Sequence, residues 1–359
     1  MDFGALFSRK PASLIGLDIS PSSVKLVELG KSGDGTLTLE HCGITPLEAG
    51  WINEGNIERF DDVVAAVRQV VASSGTRVKH AALALPASMV ITKKILLPAG
   101  LSEQEIELQV EAEANQYIPF SLDEVNLDFY VIGPSASTAD DVEVMIAASR
   151  KDKVEDCQGL AEAAGLSAAV VEVDSNAARL AAQRLIKLTH PGEMDNPLVA
   201  LFEIGAMNST LQILQGDEAL YERDQNFGGA RLTQMLARQY GFTQEEAEQK
   251  KRSRELPVDY IETVLTPFVN SLAQEIERAL KLFFTSTPHN RVDSIMLAGG
   301  SANLHGLPEA ITQCTSFPCR IANPFEGMII GQRVREKKLL QEAPSYLTAC
   351  GLAMRRFLL

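Results

Sequence analysis

The 359-residue sequence has no long apolar run and no surplus of basic residues. Its longest apolar stretch, residues 81–92, contains Pro86 and is followed by two lysines. It therefore falls short of the ~18 apolar residues that a membrane-spanning helix needs. Lys and Arg number 33 against 47 Asp and Glu, which gives a net charge of −14. This acidic balance argues against nucleic acid as the main partner, because phosphate backbones are bound by basic surfaces.

Cysteine and histidine are scarce as well, at five residues each. Cys314 and Cys319 are the closest pair of cysteines, and no histidine pair accompanies them at the spacing of a zinc site. We therefore expect neither a structural zinc nor a disulfide framework, and a reducing, cytoplasmic compartment. The first residues show no signal-peptide pattern. Their apolar side chains, Phe3, Leu6 and Phe7, are expected to pack on the fold, with docking on a partner or a membrane as the alternative.

Apolar β-type runs alternate with amphipathic helical patterns along the chain, which predicts a mixed α/β architecture. From about 84 to 170 the pattern becomes strands around a helix, and Ser102 with Glu105 forms a capping box at the start of that helix. The polar stretch 189–197 is typical of a linker. The expected units are a tail (1–13), a first lobe (14–190) with a small α+β insert (about 84–170), and a second lobe (198–359).

An internal repeat is the most informative feature of the sequence. Residues 15–26 match residues 200–211, and each copy is a strand, an acid, Ile, a small residue, a polar tip and a return strand. The acids are Asp18 and Glu203. A hairpin duplicated at the start of each half predicts two similar lobes that face each other across a cleft.

The repeat suits a bound nucleotide. Tight hairpins with Ser or Gly at the tip can direct backbone N–H groups and hydroxyls at phosphate oxygens. An acid in each hairpin can hold Mg²⁺ through water. Gly299 and Gly300 follow a predicted strand, where glycine permits the close approach of a ligand. Each element is weak evidence alone, and the conjunction in this order predicts a nucleotide site.

At these residues the chain resembles the actin-like ATPase superfamily, which includes actin, Hsp70, sugar kinases and FtsA. Residues 16–20 resemble its first phosphate motif, 202–205 its second, and 297–307 its adenosine motif, while 173–177 and 349–353 fall where its two connecting helices lie. The resemblance implies an α/β, actin-like (ribonuclease H-like) duplicated two-lobe fold with an inserted small α+β subdomain in the first lobe.

Within the superfamily the sequence is most similar to the PilM family of type IV pilus assembly proteins, relatives of FtsA. The similarity lies in residues 111–120, 123–125, 128–129, 226–229 and 295–300. It implies an ATP-binding cytoplasmic scaffold at the inner membrane that docks the N-terminal cytoplasmic tail of PilN. It also implies an alignment complex with PilO and PilP, contacts with pilus motor components, and self-association as a further possibility.

The resemblance assigns site residues by position. Asp18 and Glu203 are the expected Mg²⁺ residues, and ATP is the expected cofactor. The residues expected to meet the nucleotide are Asp18, Ser20, Ser23, Lys25, Glu203, Gly205, Asn208, Thr210, Gly228, Gly229, Glu275, Arg278, Gly299, Gly300 and Asn303. For Glu275 and Arg278 an ordinary solvated helix face is an equally good interpretation.

Glu203 departs from the superfamily, which usually has Asp at this position. The longer side chain displaces the carboxylate, and small misplacements can cost ~10²-fold in rate. Hydrolysis is therefore expected to be weak or absent, and no catalytic residue is assigned. The alternative function is a small-molecule kinase of the same superfamily, which would need a general base over a substrate pocket. No residue stands out in that role.

A partner groove is expected on the insert, because an acidic scaffold suits a basic, apolar peptide. The residues expected to line this groove or the core beneath it are Leu96, Leu97, Leu108, Tyr117 and Phe129.

Overall fold

The computed structural model describes residues 13–135, 138, 140–189 and 196–358. The expected tail, apart from Ser13, and residues 190–195 of the expected linker lie outside this part of the chain. Within it, no helix is long and apolar enough to cross a membrane.

The strands of the described ranges follow the alternating or continuous apolar runs of the sequence. In chain order they are β1 (Leu14–Ser20), β2 (Ser23–Lys31), β3 (Leu37–Pro46), β4 (Ile52–Asn53), β5 (Asn56–Ile57), β6 (His80–Leu85), β7 (Val90–Pro98), β8 (Val125–Pro134), β9 (Asp141–Arg150), β10 (Ser167–Val173), β11 (Leu198–Ile204), β12 (Ser209–Gln215), β13 (Glu218–Gln225), β14 (Ser294–Ala298), β15 (Cys319–Ile321) and β16 (Ile329–Ile330).

Most helices bury an apolar stripe against the sheets. In chain order the helices are α1 (Phe60–Ser74), α2 (Glu103–Tyr117), α3 (Lys151–Ala163), α4 (Asp174–Thr189), α5 (Gly229–Tyr240), α6 (Gln244–Ser253), α7 (Thr266–Ser286), α8 (Leu307–Thr315), α9 (Glu336–Glu342) and α10 (Leu347–Met354). Helix α6 instead packs on α5, and α10 is buried on all sides over residues 347–353.

The first half of the chain forms a six-stranded sheet in the order β10-β6-β1-β2-β3-β16. β1, β2 and β3 are an antiparallel meander, and β6 and β10 extend the sheet in parallel on the other side of β1. Helices α1 and α3 cover one face, where Val67 and Leu160 are fully buried in the same apolar cluster as Leu17. This sheet places the end of β1, and therefore Asp18, at one edge of the lobe.

The second half repeats this connectivity in a sheet of order β13-β12-β11-β14-β15. β11, β12 and β13 again form an antiparallel meander, and β14 and β15 again continue in parallel beside the first strand. The registers also correspond, because Asp18 pairs with Lys25 in the first hairpin and Glu203 pairs with Thr210 in the second. The sequence repeat is therefore a structural duplication.

Helices α4 and α10 join the two halves and touch at glycine. A Cβ added to Gly351 would overlap the carbonyl oxygen of Ala177, and a Cβ on Gly16 would overlap that of Ala349. The backbone of α10 therefore lies directly on both β1 and α4. A single apolar cluster around these helices contains residues of both sheets, such as Val27 and Met296.

The insert is a three-stranded antiparallel sheet, β7-β9-β8, with α2 on one face. Ser102 and Glu105 form the expected capping box at the start of α2. Helix α3 packs in the first-lobe core, and β10 pairs with β6 in the first sheet. Both elements therefore belong to the body of the first lobe, although α3 and the start of β10 fall within the expected insert of about 84–170. We propose bounds of 90–150 for the insert on this basis.

Candidate functional site

The first hairpin brings four of the expected site residues together. Lys25 Nζ lies 2.8 Å from Asp18 Oδ2 and 3.0 Å from Ser20 Oγ, and Ser20 Oγ donates to the carbonyl of Ser23 at 3.0 Å. Asp18 and Lys25 are each 8% exposed. A buried carboxylate must be paired, and the cross-strand register supplies Lys25 as its partner. The tip therefore presents a compact cluster of ammonium, carboxylate and hydroxyl groups.

The second hairpin presents a different donor set. Glu203 Oε1 accepts a hydrogen bond from Thr348 Oγ1 of α10 at 2.9 Å. Thr210 Oγ1 donates to Asp224 Oδ1 at 2.7 Å, and the Gly205 N–H donates to the carbonyl of Asn208 at 3.0 Å, which closes the tip. The hairpin has no lysine at the position that corresponds to Lys25, so Glu203 has no cationic partner on its own hairpin.

A third carboxylate, Asp174, lies near both hairpins and was missed by the sequence analysis as a site residue. It is the first residue of connecting helix α4, and its Oδ1 accepts the N–H groups of Ala87 at 2.9 Å and Ser175 at 2.7 Å. Burial, together with the negative charges of Glu203 and Asp18, raises the pKa of Asp174 to about 8. Burial, followed by the charge of Asp18, raises the pKa of Glu203 to about 7.

This cluster fits Mg²⁺ only as part of a metal–nucleotide complex. No group of three or more His, Cys, Asp or Glu side chains in the described ranges is arranged to hold a metal ion. Mg²⁺ commonly uses one or two protein carboxylates and takes its other ligands from waters and phosphate oxygens. Asp18 and Glu203 are of the right chemistry for that arrangement, and Lys25 already supplies one positive charge beside Asp18.

The expected glycines of the second lobe meet at the second hairpin. The N–H of Gly229 donates to the carbonyl of Gly205 at 3.0 Å, and a Cβ on Gly228 would lie 2.5 Å from the carbonyl oxygen of Ala206. Gly299 has φ +88°, and a Cβ there would clash with Ile204, whereas a Cβ on Gly300 would only contact Ser345 Oγ at 3.9 Å. A Cβ at Gly228 or Gly299 would overlap backbone atoms and one at Gly229 would overlap the Ser301 hydroxyl, so Gly300 is the one of the four where a Cβ would fit.

The adenosine-side residues are brought together only in part. Glu275, Gly228 and Arg231 line a narrow cleft of about 10 Å³ between α5 and α7. Arg278 forms an ion pair with Glu275 at 3.2 Å but is largely exposed, as the solvated-face interpretation predicts. Asn303 is exposed, and its Nδ2 donates to the carbonyl of Gln341 at 2.6 Å.

Helix α6 adds residues that the sequence analysis did not identify. Lys251 Nζ lies 2.7 Å from Thr233 Oγ1 and 3.4 Å from the carbonyl of Gly229, and it pairs with Glu248 at 2.5 Å. Burial lowers the pKa of Lys251. The local signal for this helix is the capping box Thr243–Glu246, whose two hydrogen bonds are both present.

The insert separates the expected groove residues into two groups. Leu97 is 3% exposed and Phe129 packs against the same core, whereas Leu96, Leu108 and Tyr117 are exposed. Leu108 and Tyr117 lie on α2, and Leu96 lies on β7.

The outer face of the insert sheet, opposite α2, combines apolar and acidic side chains. Tyr130, Met145 and Lys94 form a cross-strand row, and Leu96 pairs with Glu143 in the next row. The hydrogen bond that Lys94 donates to Glu143 raises the pKa of Lys94, and the negative charge of Glu218 in the second lobe contributes in the same direction. This outer sheet face therefore lies toward the acidic β12–β13 turn of the second lobe.

Residues 16–357 match the sequence profile of a family described as type IV pilus assembly protein PilM. The chain belongs to this PilM family. It is similar to a chain of a solved PilM–PilN type IV pilus biogenesis complex, with 27% identity, a TM-score of 0.79, and coverage of 96% of this chain and 99% of that one.

More distant structures share the fold alone. They include the ethanolamine utilization protein EutJ from Carboxydothermus hydrogenoformans (15% identity, 95% and 88% of the two chains, TM-score 0.57) and a diol dehydratase-reactivating factor (10% identity, 96% and 99%, TM-score 0.52). The duplicated sheets with their connecting helices are an actin-like fold, as the sequence resemblance implied. The small-molecule kinase alternative is not favoured, because the PilM match spans nearly the whole chain.

Proposed function

We propose that this PilM-family protein is a nucleotide-binding adaptor of the type IV pilus machinery that docks the cytoplasmic tail of a PilN-type inner-membrane protein. The observation that carries the proposal is the likeness, over almost the entire chain, to PilM in its complex with PilN. A location at the cytoplasmic face of the inner membrane follows from that partner. PilO, PilP and motor components would then be reached through PilN, and self-association is a separate possibility.

We place the tail on the outer sheet face of the insert. Leu96 and Tyr130 are each 47% exposed, which is unusual for large apolar side chains of a sheet. Glu143 beside them is paired with Lys94 at 2.8 Å, and Glu218 across from them supplies negative charge. A basic, apolar segment would bury Leu96 and Tyr130 and place its cations near this negative charge. Peptides that add a strand to a sheet and peptides that bind in a groove are both recognised in this way.

The proposed nucleotide is ATP with Mg²⁺, held between the two hairpins. Asp18 and Glu203 would hold Mg²⁺ through water, while Lys25, Ser20 and the tip backbone would face phosphate oxygens. Mg²⁺ would neutralise phosphate charge when bound. Glu203 remains the reason to expect weak or absent hydrolysis, since its carboxylate is already engaged by Thr348 and displaced relative to an aspartate.

Two titrations test this function separately. Isothermal titration with a synthetic PilN-type tail peptide should show binding that Leu96→Asp abolishes and Leu108→Asp retains, since Leu108 is also an exposed leucine (66% against 47% for Leu96) but lies on α2. Equal loss in both variants, or no binding by the unchanged protein, would refute the placement of the groove.

Titration with ATP and Mg²⁺ tests the nucleotide site. The unchanged protein should bind, and Asp18→Ala should weaken binding by about tenfold or more, as loss of a charge-assisted contact does. Absence of binding in the unchanged protein would remove the nucleotide from the proposal and leave the adaptor role standing.

A further inference from the structure

The first turn of α4 is bonded to both lobes. Asp174, the first residue of this helix, accepts the N–H of Ala87 at 2.9 Å, and Ala87 follows strand β6 of the first lobe. From the other side, Gln212 Nε2 on β12 of the second lobe donates to the carbonyl of Ser175 at 2.9 Å. The position of the Asp174 carboxylate therefore depends on a contact to each lobe.

Gln212 is an uncommon residue type for its place in the fold. It is 2% exposed and lies in the middle of a strand whose neighbouring side chains, Leu211 and Ile213, are fully buried. An apolar side chain would fill this position at a lower cost, because a buried amide must satisfy its hydrogen-bonding groups. The polar side chain is therefore explained by the groups that it bonds and not by the core.

The amide of Gln212 is held in one orientation. Its Nε2 also donates to Glu222 Oε2 at 3.2 Å, across the β12–β13 pair. Turning the amide over would place Oε1 against two acceptors, the Ser175 carbonyl and the Glu222 carboxylate, and only Nε2 carries the hydrogens that they need. Glu222 thus fixes the rotation of the amide that bonds Ser175.

Attachment of α4 to the second lobe does not require this hydrogen bond. Leu185 of α4 is buried in one apolar cluster with Val199 and Met296 of the second-lobe sheet. This contact lies further along the helix than Ser175. The apolar cluster holds the body of α4, and the bond from Gln212 determines where its first turn lies.

We propose that Gln212 is a positioning residue of the candidate nucleotide site. By fixing the first turn of α4 against the second lobe, it fixes the Asp174 carboxylate relative to Glu203 and Asp18. Side chains that orient a carboxylate at a metal site change the affinity for the metal although they do not touch it. The inference rests on the proposed function, because Asp174 affects a ligand only if the nucleotide binds between the two hairpins.

Isothermal titration of the full-length protein with ATP, once in Mg²⁺ and once in EDTA, tests this role. Gln212→Met keeps the length of the side chain but removes the amide, and it should weaken ATP binding in Mg²⁺ by about tenfold or more. In EDTA the affinity should not change, because the displaced carboxylate acts on the metal. The matched control is Gln215→Met on the same strand, which removes a hydrogen bond to the carbonyl of Asn196 and should bind as the unchanged protein does.

A double-mutant cycle with Asp174→Asn shows whether Gln212 acts through Asp174. In the Asp174→Asn background, Gln212→Met should have no further effect on the affinity in Mg²⁺. Equal losses in Mg²⁺ and in EDTA, an equal loss in Gln215→Met, or additive losses in the double variant would overturn the proposal, because general destabilisation produces each of these results.

Hydrogen exchange without nucleotide separates this inference from the proposed function. Exchange in the first turn of α4 should be faster in Gln212→Met than in Gln215→Met, whether or not ATP binds. Equal exchange in the two variants would overturn the positioning role. Faster exchange together with no ATP binding by the unchanged protein would refute the nucleotide site and leave Gln212 as the residue that positions Asp174.

Discussion

At the scale of single residues, Asp18 and Lys25 depend on each other. Each is 8% exposed, and their 2.8 Å ion pair is the main compensation for burying either charge. Lys25→Met should therefore lower the free energy of unfolding by about 3 kcal/mol or more, because it leaves a buried carboxylate without its cation. Urea denaturation measures this change.

The control for this prediction is the double variant Asp18→Asn with Lys25→Met. It removes both charges and should be more stable than Lys25→Met alone, as the coupling of a buried pair requires. A double variant that is less stable than the single one would show that the two charges act independently.

Gly351 provides a second prediction at this scale. A Cβ there would overlap the carbonyl of Ala177 in the facing helix, so α10 would have to move away from α4. Gly351→Ala should destabilise the protein by about 2 kcal/mol or more although alanine is the better helix former. Gly33→Ala, whose Cβ has open space, should change stability by less than about 1 kcal/mol in the same thermal unfolding experiment.

At the scale of elements, Ser102 is the cap that starts the insert helix. Its hydroxyl accepts the N–H of Glu105, and Ser102→Ala should cost about 1 kcal/mol of local stability. Ser121 begins a short helical turn in the same insert without a side-chain cap, so Ser121→Ala is the matched control. Hydrogen exchange of the first turn of α2 should accelerate in the first variant alone. Equal exchange in both would contradict the role of the capping box.

Elements with local signals could be predicted from the sequence. The two hairpins, β6 and the capped α2 follow from alternation, turn residues and the capping box, all of which act over a few residues. Thr266 before Pro267 also predicts a helix start, yet Thr266 is helical and follows a π-helical turn at Ile261–Leu265. Tertiary packing of Val264 and Leu265 in the second-lobe core overrides that local signal.

Elements whose place depends on distant pairing could not be predicted. α3 and β10 directly follow the insert strands in sequence. Parallel pairing of β10 with β6 and the packing of α3 in the first-lobe core assign both to the body of the first lobe. Sequence order alone cannot distinguish these alternatives, because parallel pairing joins residues far apart in the chain. Leu96 and Leu97, by contrast, follow a local rule: they are successive residues of β7 and lie on opposite faces, Leu96 exposed and Leu97 buried.

At the scale of the whole molecule, the candidate site is assembled from three separate parts of the chain. The acids of the repeat predict Asp18 and Glu203, because each hairpin is local. Asp174 lies in the segment 173–177, which the resemblance assigns to a connecting helix and not to the nucleotide, and it becomes a site residue because α4 starts beneath both hairpins. Its two backbone hydrogen bonds lower its pKa but do not offset burial and the neighbouring carboxylates.

This convergence predicts how stability depends on pH without nucleotide or Mg²⁺. The pKa of Asp174 is raised from 3.8 to about 8 in the folded protein, so the folded state binds a proton more tightly than the unfolded one. Stability should therefore fall as pH rises between those two values, and Glu203, raised from 4.5 to about 7, acts in the same direction.

Asp174→Asn should reduce the loss of stability with rising pH. The amide oxygen can still accept the hydrogen bonds of both backbone N–H groups, and it carries no charge. The measurement is the free energy of unfolding in urea across that pH range. Asp217→Asn, a change at an exposed carboxylate, should keep the pH dependence of the unchanged protein. If Asp174→Asn also kept the pH dependence of the unchanged protein, Asp174 would already be ionised at neutral pH. Asp18, Asp174 and Glu203 would then not share a low-dielectric site between the two lobes.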